Sequence, residues 1–226
     1  FGGLDADFSK NSWRTIIAAC QNKQVPDTWN VGDSCMMAFG KKNYQIDIIG
    51  KNHDDYADGS GKAPLTFQMH TCYATEYKMN NSGSNTGGWA DCLLRTTGGF
   101  KIIKSKMPAE VVAALKAVTK KTTAGGASSA IDTTEDTLFL LSEIEVQGTR
   151  THSYAGEGTQ YAYYQTAANR KKNRAWYLRS PRISSTTCFC RTGWSGEADW
   201  SVASEVDGIA AVSYTHLRAH ETSAHL

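Results

Sequence analysis

Trp176-Tyr-Leu-Arg-Ser180, Thr186-Thr-Cys-Phe-Cys-Arg-Thr192 and Ser201-Val-Ala203 are short runs rich in aromatic, β-branched and Cys residues, separated by Ser, Gly and Pro. That pattern predicts three β-strands, and Asp207-Gly-Ile-Ala210 predicts the start of a fourth. The chain before Ala175 reads differently. Asn11 or Ser12 caps a helix whose Trp13, Ile16, Ile17 and Cys20 share one face. Ser34 to Phe39 and Tyr44 to Gly50 read as a hairpin over Gly40–Asn43, and Leu65 to Met69 as a strand. Asn52 to Gly61 reads as a solvated loop: its Asp54, Asp55 and Asp58 lack the calcium-loop spacing and terminal Glu.

Further along, Trp89, Cys92 and Leu93 form the apolar face of a helix ending near Gly98. Pro108 opens another, with Val111, Val112, Leu115 and Val118 inward and Lys120 and Lys121 at its C-terminal end. Thr122 to Thr134 reads as a flexible loop of small residues. Leu138 to Leu141 is a buried strand, and Ser142 to Glu145 has the form of a capping box. Tyr161, Tyr164 and Ala168 give one more helical face before the basic run Arg170–Arg174. Helices early and in the middle with antiparallel strands late make the class α+β.

The composition agrees with one folded domain. The 226 residues are 40% hydrophobic and 20% charged, with a net charge of +2, which excludes a disordered chain and argues against wrapping nucleic acid. No apolar run reaches the roughly 20 residues of a membrane-spanning helix, so no membrane span is expected. The chain opens with neither a secretory leader nor an initiator Met.

Several motifs, in order, resemble a domain family of unknown function found in bacterial and prophage proteins, some of them tail-associated. They are the opening helix from Ser12-Trp13, the turn Trp29-Asn-Val-Gly-Asp33, Gly87-Gly-Trp89 to Arg95, Leu138-Phe-Leu-Leu-Ser142 with Glu145-Val146, Trp176-Tyr-Leu-Arg-Ser-Pro181 with Cys188-Phe-Cys190, the Gly193–Gly196 turn, and Asp207-Gly-Ile-Ala210. The resemblance covers almost all of Ser12 to Ala210. It implies a C-type-lectin-like fold, of the kind shared with formylglycine-generating enzymes and with the hypervariable proteins of diversity-generating retroelements. In such a fold, helices pack on a small antiparallel sheet beside an irregular C-terminal β region. The family's closing P-x-F strand is missing here, so the last strand reads as truncated.

The implied role is a non-enzymatic ligand- or receptor-binding domain of a phage-tail or bacterial surface protein, located in the virion or at the cell surface, and in one version a retroelement variable protein. Its partner would be a bacterial surface receptor, protein or glycan, with no cofactor, and the domain would form a homo-oligomer within a larger assembly. Two alternatives stand beside this: a formylglycine-generating-enzyme-like copper oxidase using Cys188 and Cys190, and a structural decoration domain without a specific ligand.

Arg182 to Glu205 mixes Arg, Trp, Ser, Thr and acidic residues with little periodicity, as binding surfaces do. The ligand-binding candidates are Arg182, Phe189, Arg191, Trp194, Glu197, Asp199 and Trp200; ordinary scaffold strands are the other reading. Trp89, Trp176 and Arg179 are structural candidates, Arg179 as a buried guanidinium forked onto carbonyls or a carboxylate. Cys188 and Cys190 share a strand face and read as packing or surface thiols more readily than as a metal or redox pair. The tripeptides of calcium-dependent sugar sites are absent, and no catalytic residue is assigned. His53, His70 and His152 are scattered and read as surface or satisfied side chains.

The tail from Val212 to Leu226 carries His216, His220 and His225, which suggest a metal-binding helix face. The same string resembles the translation of a transposase-type sequencing adaptor. The domain division is therefore an N-terminal extension at 1–11, one domain at 12–211 and a non-native tail at 212–226. Resequencing the source locus should show adaptor from the codon of Ala211 onward; genomic sequence continuing there in independent reads would remove that boundary.

Overall fold

The computed structural model describes residues 3–214. Among them, strands predominate over six short α-helices, of which α1 (Trp13–Gln21) is the longest. Ser12 caps α1 by accepting the Thr15 N–H, and Trp13, Ile16, Ile17 and Cys20 turn inward as their spacing predicts. Among the described residues no helix is long and apolar enough to cross a membrane.

The main sheet has five strands in the order β1 (Ser34–Phe39), β2 (Lys42–Lys51), β3 (Leu65–Met69), β10 (Val212–Ser213), β6 (Leu138–Phe139). All four pairings are antiparallel. A two-stranded sheet joins β4 (Val118–Gly125) to β5 (Ser128–Asp136), and a three-stranded sheet runs β7 (Trp176–Pro181), β8 (Cys188–Thr192), β9 (Ala198–Val202). The remaining helices are α2 (Gly88–Asp91), α3 (Leu93–Thr96), α4 (Gly99–Lys106), α5 (Ala109–Ala114) and α6 (Glu143–Gln147). The result is mixed α/β, mostly antiparallel.

Four sequence expectations are corrected. The helix opened by Pro108 stops at Ala114, so Val118 and Lys120 lie on β4 and not on a helix. The stretch 122–134 is the β4–β5 hairpin, not a loop. Val118, Lys120 and Thr122 alternate inward with period two, and Gly125 makes the turn. A side chain at Gly125 would place its Cβ 1.9 Å from the Asn85 carbonyl oxygen at a positive φ of 74°, so only glycine fits. Asp54 is buried, unlike its loop neighbours Asp55 and Asp58, which pair at the surface with Lys62 and Lys116.

The fourth correction concerns the closing strand. Of residues 207–210, Asp207 and Gly208 make single bridges, to Tyr77 and Trp176, and the closing strand β10 is Val212–Ser213, inserted between β3 and β6. Val212 and Tyr214 are fully buried. Residues 215–226, including the three tail histidines, lie outside the described residues.

Where these sheets meet, a buried charge cluster ties them together. The Arg179 guanidinium forks onto both oxygens of Glu145 and also donates to Thr122 Oγ1 (2.8 Å), Leu140 O (3.0 Å) and Glu157 O (2.9 Å). Lys120 donates to Glu145 (2.6 Å) and Asp54 (2.8 Å), and Tyr161 OH donates to Asp54 (2.7 Å). The Ser142–Glu145 capping box is present, so the carboxylate that caps α6 also receives both cations. Two cations thus face two carboxylates. Burial pushes Asp54 and Glu145 upward, but Lys120 on Asp54, and Arg179 with Lys120 on Glu145, outweigh it and hold both below the ordinary carboxyl range. Glu157 has no such cation fork. Burial raises its carboxyl, only partly offset by Ser180 and Thr123.

The signs follow. Lowered folded values at Asp54 and Glu145 contribute stability that is full above about pH 4 and is lost as pH falls through them. Glu157, with a raised folded value, contributes in the opposite sense, and that contribution fades as pH rises. Urea unfolding should therefore show Glu157→Gln gaining on wild type between about pH 5 and about pH 8. Arg179→Met, which strands a buried carboxylate, should cost roughly 3–5 kcal/mol at neutral pH.

Candidate functional site

The three-stranded sheet carries the segment 182–205, and its register decides what each side chain can reach. Cys190 faces Trp200 across β8–β9, and Arg191 faces Asp199. Directly opposed residues share a face and successive residues alternate. Trp200 therefore lies on the face of Cys188 and Cys190, while Arg191 and Asp199 lie on the opposite one.

The seven ligand-binding candidates do not form one patch. Phe189 is fully buried; it faces Ser201 on the inner side of the sheet and belongs to the core, which corrects its reading as a surface anchor. Arg191 is committed to two carboxylates, Asp199 at 2.7 Å and Asp207 at 2.9 Å. Glu197 secures the Gly193–Gly196 turn: its carboxylate accepts the Ser195 N–H and its carbonyl accepts that of Gly193. These four hold the sheet and its turn.

Three stand outside that framework, Arg182 half-buried and the two tryptophans exposed. Trp194 is 64% exposed at the tip of the β8–β9 turn, and Trp200 is 38% exposed on β9. The Arg182 guanidinium lies 4.1 Å from the centre of the Trp200 ring. That cation–π contact covers part of the guanidinium with the indole. No described residue provides a carboxylate or other acceptor for its N–H groups.

The structural candidates are all fully buried. Trp89 donates its indole N–H to Asp136 (3.2 Å) and Trp176 donates to Arg170 O (3.1 Å); Arg179 is the centre of the charge cluster. All six cysteines are buried, and none forms a disulfide. Burial drives the Cys190 thiol well above its ordinary value, and the Glu143 and Glu157 carboxylates add to it. Among the described residues no group of three or more His, Cys, Asp or Glu is arranged to hold a metal.

Two clusters escaped the sequence reading. Lys172, within the basic run, is buried and donates to the Met69 and His70 carbonyls, with its ammonium 5.2 Å from the Trp176 ring centre. Burial brings its pKa down to about 8, offset in part by Cys72 and Asp47. Beside it, buried Asp47 receives Tyr163 OH and the Gln45 amide, and its carboxylate lies 2.6 Å from His70 Nδ1. A lysine inside a charge run carries no burial signal of its own, and Asp47 on β2 and His70 just after β3 lie far apart in the sequence.

A family model described as a domain of unknown function, DUF6273, matches residues 63–213. No curated protein and no solved structure matches the chain.

The buried thiols make a direct expectation. Native protein incubated with iodoacetamide at neutral pH should leave Cys188 and Cys190 unlabelled by mass spectrometry, and both should label fully in denaturant. Fast native labelling of Cys190 would contradict its burial.

Proposed function

For this chain, which belongs to the DUF6273 family of domains of unknown function, we propose a non-enzymatic binding role: a ligand- or receptor-binding domain of a phage-tail or bacterial surface protein. In this reading the architecture is C-type-lectin-like and the β8–β9 end of the small sheet meets a bacterial surface receptor. One observation carries it. Of the six tryptophans, Trp13, Trp29, Trp89 and Trp176 are at most 8% exposed, while Trp194 and Trp200 are 64% and 38% exposed. Both exposed rings fall within one short turn and strand. Tryptophan is enriched among residues that dominate interfaces, and exposed aromatic surface set on a rigid scaffold costs little entropy on binding.

The copper-oxidase alternative gains less support. It calls on a thiol pair at a reachable surface, whereas Cys188 and Cys190 are both buried and the Cys190 thiol is pushed up. A decoration domain without a specific ligand leaves the two exposed indoles unused.

Purified protein should adsorb to cells of a bacterial host panel, and Trp194→Ala and Trp200→Ala should each weaken adsorption by about tenfold or more. Their unfolding free energies should stay within about 1 kcal/mol of wild type. Unchanged adsorption in the double variant would overturn the proposal.

A further inference from the structure

The strand β9 forms the open edge of its sheet, which runs β7-β8-β9. Its register with β8 shows which backbone groups face outward. Gly193 donates to Glu197 O and Ala203 to Thr187 O. These two bonds mark the hydrogen-bonded pairs, and on that alternation Asp199 and Ser201 exchange bonds with Arg191 and Phe189. Ala198, Trp200 and Val202 then direct their N–H and C=O groups away from β8. The Val202 carbonyl is already taken, by Tyr177 OH (2.7 Å) and by the Glu205 N–H. Among the described residues the outward groups of Ala198 and Trp200 have no partner. An unpaired edge of this kind is a template for an added strand.

What stands beside the edge narrows the occupant. Arg182 lies over Trp200, on the face that an added residue opposite Trp200 would share. Its N–H groups meet no acceptor from the described residues, in contrast to Arg191, which meets two carboxylates. A guanidinium held over an indole, with its N–H groups unmatched, can fork onto a carboxylate. Exposed Trp194 and Ile183 add apolar surface in the same segment. Resting on the binding role above, we infer that the Ala198–Val202 edge takes up an extended segment of a partner protein as a fourth strand, with an Asp or Glu of that segment paired to Arg182.

The Ala198 N–H points outward, so Ala198→Pro removes an edge donor while leaving the β8–β9 bonds intact, and Pro is tolerated at the first residue of an edge strand. The probe is a displayed library of unconstrained heptapeptides panned on the intact chain. Enriched peptides should carry Asp or Glu among β-branched residues. They should lose at least about tenfold in affinity against Ala198→Pro, and similarly against Arg182→Gln. Arg182→Gln serves alone should Ala198→Pro fail to keep the wild-type near-ultraviolet circular dichroism. No enrichment, peptides lacking acids, or peptides indifferent to both variants would overturn strand addition. A wild-type dimer in sedimentation that Ala198→Pro dissociates would also overturn it, by assigning the edge to a second copy. If Ala198→Pro still adsorbs to cells like wild type while the tryptophan variants do not, the binding role stands and strand addition falls.

Discussion

The Arg179 fork onto Glu145 is the interaction on which the rest of the molecule depends. It joins β7 to α6, and through Lys120 and Asp54 it reaches β4 and the loop after β2. Tyr161 extends it to Tyr214, at the end of β10 (OH to OH, 3.1 Å). Segments far apart in the chain thus converge on one neutralised cluster. Removing such charges from water is costly, and an apolar substitute of the same shape could be equally stable. What the cluster supplies is register. A shift of any contributing strand by one residue would point its charge to the other face and leave the partners buried without compensation.

That constraint also explains what was legible in the sequence. Helix α1, the β1–β2 hairpin, β3, the capping box, β7 and β8 were readable because each has a local signal: an i, i+3, i+4 face, a Gly turn, Ser and Glu three apart, or a short aromatic and β-branched run. The β4–β5 hairpin was not. Its inward positions include Lys120, a residue type that normally marks solvent, so the period-two pattern was masked. Lys120 is acceptable there only because Asp54 and Glu145, from elsewhere in the chain, are waiting. Long-range compensation of this kind leaves no trace in a local window. Asp54 was misread for the complementary reason: its neighbours Asp55 and Asp58 are solvated.

The candidate surface shows the same limit at finer scale. Composition located it, since Trp194, Trp200 and Arg182 all fall in the irregular segment. Which residues face outward depended on the pairing of Cys190 with Trp200, which places Arg191 and Phe189 on the other side. Two arginines nine positions apart consequently have different chemistry. Arg191 is saturated by Asp199 and Asp207 and stiffens the sheet. Arg182 rests on an indole and keeps its donors free.

The placement of β10 has a consequence for how the chain is made. Strands β3 and β6 do not pair with each other; they meet only through Val212–Ser213. During synthesis from the N-terminus, everything from β1 to β9 leaves the ribosome before that seam does. Until it arrives the main sheet exists as two unjoined parts, and the inner edge of β3 presents open hydrogen-bonding groups. Closure of the sheet is therefore a late event of high sequence separation, of the slow kind, and the nascent chain is exposed to wrong strand pairing until β10 joins the sheet.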